Sequence, residues 1–163
     1  MQVPLDSATP HVDVHLIKFS QISIMVLTAV GFILQVPVLI LITALALALS
    51  AGSPGYSPFR VVYQRLLVPA GVLRARIVED DPAPHRFAQG VGALFLIASS
   101  LLLFVTSATV AGWVLALIVF VLAGINVTTG FCAGCFVYFQ LGRVGLLPRV
   151  RYAGGFRWRG VQG

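Results

Sequence analysis

Four apolar stretches, divided by short polar breaks, organise this chain. The first runs from about Phe19 to Leu34, and the second restarts at Val36 and continues to Ala51. The third runs from Phe87 to about Thr106, and the fourth from about Val110 to Gln140. Each predicts a membrane helix. Pro37 suits the first turn of the second, where its missing N–H does no harm. At about 1.5 Å per residue, the first two runs reach only about 24 Å across a hydrocarbon core of about 30 Å. They need flanking residues or local thinning of the bilayer. The fourth would reach about 46 Å if helical throughout. Its C-terminal part must therefore protrude, lie in the interface or break, and a break is expected within Thr128 to Cys132.

The links Gln35-Val36 and Ser107-Ala108-Thr109 are too short for anything but tight helical hairpins. Between the hairpins lies Gly52 to Arg86, which holds five prolines and most of the mid-chain charge. Within it, Ser57 to Ile77 mixes apolar residues with Arg60, Arg65, Arg74 and Arg76. This pattern predicts an amphipathic interfacial stretch, interrupted at Pro69-Ala70-Gly71. Glu79-Asp80-Asp81 reads as a solvated turn. The expected fold is an all-α membrane protein of one domain: four transmembrane helices as two tandem hairpins, with interfacial amphipathic segments. The hairpins occupy 14–51 and 87–141, the cytoplasmic connector 52–86 and a basic tail 142–163. Gly31, Gly90, Gly92, Gly112 and Gly124 are expected to permit close helix approach.

Composition narrows the class. Of 163 residues, 58% are hydrophobic and 10% charged, against about 25% charged in soluble domains. A soluble enzyme, a disordered tail and a disulfide-stapled secreted scaffold are excluded. The first seventeen residues carry Asp6 and Asp13 but no Lys or Arg, so they lack the cationic region that opens a signal peptide. The first apolar segment is expected to be retained. With four spans, all eleven basic residues fall on one side, and the two hairpin turns carry none. The positive-inside rule makes that side cytoplasmic. A multi-pass protein of the cell (inner) membrane, with both termini cytoplasmic, is expected.

A weak repeat runs through the chain. Lys18-Phe19-Ser20-Gln21 opens the first hairpin and Arg86-Phe87-Ala88-Gln89 the second. Phe59-Arg60-Val61-Val62-Tyr63-Gln64 resembles Phe136-Val137-Tyr138-Phe139-Gln140. These likenesses suit a duplicated unit with its axis along the membrane normal. They equally suit ordinary interface chemistry, in which basic heads snorkel and aromatics anchor.

The two cysteines lie together in Gly130-Phe131-Cys132-Ala133-Gly134-Cys135. C-x-x-C on a helical path places both sulfurs on one face, close enough to bridge. Such a pair exchanges electrons, carries sulfane sulfur or supplies half of a metal site; it also serves as small apolar filler in helix packing. Near the reducing cytoplasmic face the pair is expected to rest as thiols. Reactivity needs a lowered thiol pKa, which the end of a continuous helix does not provide. Thr128, Thr129 and Gly130 are breaker and cap candidates, and Arg143 is a source of positive potential. His11, His15 and His85 are expected to be solvated, so neither a metal nor a cofactor is predicted.

The tail alternates Arg149, Arg151, Arg157, Trp158 and Arg159 with aromatic and small residues. It suits anionic lipid or an acidic partner subunit, and nucleic acid is not expected. The two helix entrances, Gly-Phe-Cys-x-Gly-Cys and Tyr138 resemble a family of small prokaryotic membrane proteins with a domain of unknown function. The resemblance covers roughly Val12 to Leu147. It implies proximity to thioredoxin-like or rhodanese-like proteins, and hence thiol or sulfur handling. Two functions follow as expectations. One is a thiol protein whose Cys132 and Cys135 exchange electrons or sulfane sulfur with such a partner in the cytoplasm. The other is a non-catalytic accessory subunit of a larger membrane electron-transfer or photosynthetic complex.

Overall fold

The computed structural model describes residues 11–71, 77–79 and 82–146. It is helical apart from one small ribbon. The elements are β1 (His11–Asp13), α1 (Val14–Ile33), α2 (Pro37–Gly52), α3 (Pro58–Val62), β2 (Ile77–Glu79), α4 (Pro82–Val105), α5 (Thr109–Thr129) and α6 (Ala133–Val144). Three helices, α1, α4 and α5, are long and apolar enough to cross a membrane; α2 is equally apolar but has 16 residues.

The first helix of each hairpin starts earlier than its apolar run suggested. Asp13 caps α1, its Oδ1 accepting from the amides of His15 at 3.0 Å and Leu16 at 3.4 Å. An Asp N-cap satisfies N–H groups that have no partner within the helix. With 20 residues, α1 is long enough to cross without thinning. Helix α4 begins at Pro82, inside the expected connector, with Pro82 and Pro84 in its first turn, where proline is tolerated. Helix α2 has Pro37 at its start and remains about 24 Å long.

Ring contacts and hydrogen bonds orient the bundle. Phe32, near the end of α1, meets Trp113, near the start of α5, edge-on at 5.4 Å. Both hairpin turns therefore lie at one end. At the other end, Arg86 of α4 donates to the last carbonyls of α2, Ala51 O at 3.0 Å and Gly52 O at 3.2 Å. A cation there satisfies orphan acceptors and complements the helix dipole. The contact between α2 and α4 is the most extensive and ties the two hairpins together.

The bundle is apolar outside and partly polar within. Ile33, Val105 and Val110 are 74–78% exposed, and Ile22, Val26, Leu94 and Leu101 are also exposed. Ser20, Thr28, Thr43, Ser50, Ser99 and Ser100 are buried among Ile40, Ala44, Leu47, Leu96 and Ala116. This is the reverse of what water selects, and it suits a lipid surround. Thr43, Ser50 and Ser100 each donate to the carbonyl four residues back, and Ser99 donates across helices to Gly112 O at 2.7 Å.

Within the connector, helix α3 passes into a π-helical turn, Tyr63–Leu67, and the chain turns at Gly71 with φ +68°, in the expected Pro69-Ala70-Gly71 interruption. Glu79, expected in a solvated turn, ends β2, which pairs antiparallel with β1 in the register His11↔Glu79, Val12↔Val78, Asp13↔Ile77. Two three-residue strands carry too little alternation to be read from sequence. Arg74, Arg76, Asp80 and Asp81 lie outside the described residues.

Candidate functional site: a thiol pair at a helix break

The fourth apolar run breaks within the expected interval, Thr128 to Cys132. Helix α5 ends at Thr129, Gly130 takes φ +72°, and α6 starts at Ala133. Gly130 is the left-handed residue that closes α5, its amide donating back to Asn126 O at 2.9 Å. The hydroxyls of Thr128 and Thr129 donate to the carbonyls four residues back, Gly124 O and Ile125 O, as buried hydroxyls of the bundle do, and it is Gly130 that ends the helix. Thr129 Oγ1 also accepts from the Phe131 amide at 3.2 Å.

Neither threonine caps the new helix. Cys132 does: its backbone is extended, and its Sγ accepts from the Cys135 amide at 3.2 Å. A sulfur at an N-cap lies at the positive end of the helix dipole, which favours thiolate over thiol. Arg143, expected to supply positive potential, sits in the last turn of α6, about 16 Å along the axis from Cys132. The helix start supplies the field instead.

The structure joins Cys132 and Cys135 in a disulfide, with Cα atoms 5.1 Å apart, inside the range such a bond needs. The pair was expected to rest as thiols; the backbone at the break sets the two sulfurs within bonding reach. Cys132 is half-buried and Cys135 is 7% exposed.

Helix α4 completes the site. His85, expected to be solvated, is half-buried, and its Nδ1 lies 3.6 Å from Cys135 Sγ. One turn further on, Ala88 receives Gly134: a methyl on Gly134 would lie 2.5 Å from Ala88 Cβ and 2.8 Å from its Cα. Gly134 was not among the glycines expected to matter. Of those, Gly31 and Gly112 are tight, a methyl there lying 3.1 Å from Ile40 and 2.7 Å from Leu103, while Gly90, Gly92 and Gly124 have ordinary room. Phe87 and Tyr138 pack edge-on at 5.5 Å beside the pair.

The repeat reappears in these contacts. Phe19 packs on Tyr63 at 6.0 Å as Phe87 packs on Tyr138. Six residues before each tyrosine stands the residue that precedes a short helix, Ser57 before α3 and Cys132 before α6. Ser57 shares a 2.7 Å hydrogen bond with Ser50, where the second half has its disulfide.

His15 lies in the first turn of α1, and the backbone of His11 in β1. Among the described residues, the group of three potential ligands that converges is His85, Cys132 and Cys135. No spacing in the sequence marks His85, which is 50 residues from Cys135; only its place next to the Arg86-Phe87 entrance put it at this end. Arg149, Arg151, Arg157, Trp158 and Arg159 lie outside the described residues.

These features define a helical protein with apolar helices of membrane-crossing length and a C-x-x-C at a helix break. The chain belongs to the family defined by a domain of unknown function, DUF4395, whose match covers residues 12–143. No curated protein and no solved structure matches the chain.

Proposed function

We propose that this is a four-span protein of the cell (inner) membrane, with both termini in the cytoplasm. Its Cys132–Cys135 pair exchanges electrons or sulfane sulfur with a soluble thioredoxin-like or rhodanese-like partner. The placement of Cys132 at the start of α6 carries the reading, because a buried filler cysteine has no need of a cap amide or a helix dipole. In the electron-transfer form, a partner thiolate attacks the more exposed Cys132 sulfur and Cys135 leaves as thiolate. The second partner thiol then releases Cys132. Partner dithiol becomes disulfide, and two electrons and two protons pass to the pair. The fourth span is α2, whose short length is met by local thinning or tilt of its neighbours. The clustering of all basic residues on one side supports the orientation.

The test uses the full chain in detergent, metal-free, with reduced thioredoxin. Reduction of the pair should follow the thioredoxin concentration, and cells that need the gene should fail with Cys132→Ala. A pair that thioredoxin does not reduce, together with wild-type growth of the double Cys132→Ala, Cys135→Ala strain, would overturn the proposal. It would favour the accessory-subunit reading, which rests on the arginine-rich tail.

A further inference from the structure

We infer that, once the Cys132–Cys135 bond is opened, His85, Cys132 and Cys135 form a binding site for one Zn2+ ion. One ring nitrogen of His85 and the two Sγ atoms lie within 4.8 Å of one another even with the bond closed. The distance that chelation would not need to change already fits. With Zn–N of about 2.0–2.1 Å and Zn–S of about 2.3 Å, a tetrahedral angle puts nitrogen and sulfur about 3.6 Å apart. His85 Nδ1 and Cys135 Sγ are 3.6 Å apart. Opening the disulfide lets the sulfurs separate to the spacing that two thiolates on one metal require.

The ligands come from two elements held in fixed relation. Cys132 and Cys135 bracket the first turn of α6, and His85 lies on α4 one turn before Ala88, against which Gly134 is seated. The close Gly134–Ala88 approach is what brings His85 within reach. The Cys135 amide donates to Cys132 Sγ at 3.2 Å, an interaction that steadies a metal-bound thiolate as well as a free one.

The repeat sets this site apart. Aligned on Lys18/Arg86 and on Tyr63/Tyr138, the first half has Ile17 in place of His85, Ser57 in place of Cys132 and Arg60 in place of Cys135. All three ligands are confined to the second copy. Two thiolates and an imidazole match Zn2+ in donor type, and three protein ligands leave its fourth position for water or a partner's thiol.

The chemistry balances with a reductant. A phosphine and one water convert the disulfide to two thiols and phosphine oxide. Zn2+ then binds and releases the two thiol protons. Re-oxidation of the pair by an added disulfide, which is itself reduced to two thiols, removes both thiolate ligands, so the closed pair does not hold the metal.

Co2+ titration of the phosphine-reduced full chain in detergent tests this. One Co2+ per chain should bind with intense sulfur-to-metal charge-transfer absorption, and Zn2+ should displace it. Binding should weaken at least tenfold in His85→Ala, vanish in Cys132→Ser with Cys135→Ser, and be absent from the oxidised protein. Zn2+ should also raise the thermal midpoint of the reduced wild type, as a ligand of the native state must. Helicity measured alongside confirms that each variant is folded. Equal affinity in wild type and a folded His85→Ala variant would overturn the site, as would no thermal shift. Failure of Zn2+ to displace bound Co2+ would overturn the choice of metal. Thioredoxin exchange is measured on metal-free protein, so failure here leaves the thiol proposal standing, and the reverse also holds.

Discussion

Gly134 of α6 lies directly against Ala88 of α4, with the Ala88 Cα only 2.8 Å from where a Gly134 side chain would begin. The obstacle is backbone, which cannot rotate aside. Gly134→Ala should therefore push α6 off α4 and cost about 1–3 kcal/mol, the usual penalty of overpacking. Gly92→Ala is the control, since its new methyl would meet only Leu47 Cδ1 at 3.5 Å. Thermal unfolding in detergent should separate the two; equal midpoints would mean that α6 is not held at this contact.

Ser99 joins α4 to α5 through its 2.7 Å bond to Gly112 O. Ser99→Ala should lose about 0.6 kcal/mol, typical of hydrogen bonds between membrane helices. Ser100 bonds to its own helix, at Leu96 O, so Ser100→Ala should cost less. A larger effect at Ser100, by denaturant or thermal unfolding, would contradict the assigned roles.

Topology can be read by labelling in a background lacking Cys132 and Cys135. Cysteines placed at Gln35 and Ser107 should react with an impermeant maleimide added outside intact cells. One placed at Gly145 should react only after permeabilisation. Labelling of Gln35 and Ser107 from different sides would reject the four-span proposal.

Tyr63 is 1% exposed. Burial, and next the Asp13 carboxylate, push its phenol above the ordinary 10.0. A tyrosine is neutral when protonated, and the unfolded chain gives up that proton more readily than the folded one, so ionisation at high pH favours unfolding. The contribution is fully present below pH 10.0 and declines as pH rises through and beyond it. In a chain whose other three tyrosines are replaced by phenylalanine, phenolate absorbance should rise only above pH 10.0. Titration at or below that value would place Tyr63 in water.

Much of the architecture is legible in the sequence because it follows from one-dimensional quantities. Run length against bilayer thickness located the helices, and Pro37 marked the start of α2. The excess length of the last run pointed to an interruption near Thr128 to Cys132, and Gly130, the residue there that adopts positive φ without strain, is where α5 closes. The paired Lys-Phe and Arg-Phe entrances marked a repeat, and the structure sets each Phe against a Tyr, Phe19 on Tyr63 and Phe87 on Tyr138. Other features depend on which distant residues meet. The β1–β2 ribbon, the role of Arg86 at the end of α2, the fit of Gly134 to Ala88 and the approach of His85 to Cys135 all join segments far apart in the chain. No local propensity records such meetings. They are set by how α4 packs between α2 and α6, and that packing, rather than the C-x-x-C alone, decides what surrounds the two sulfurs.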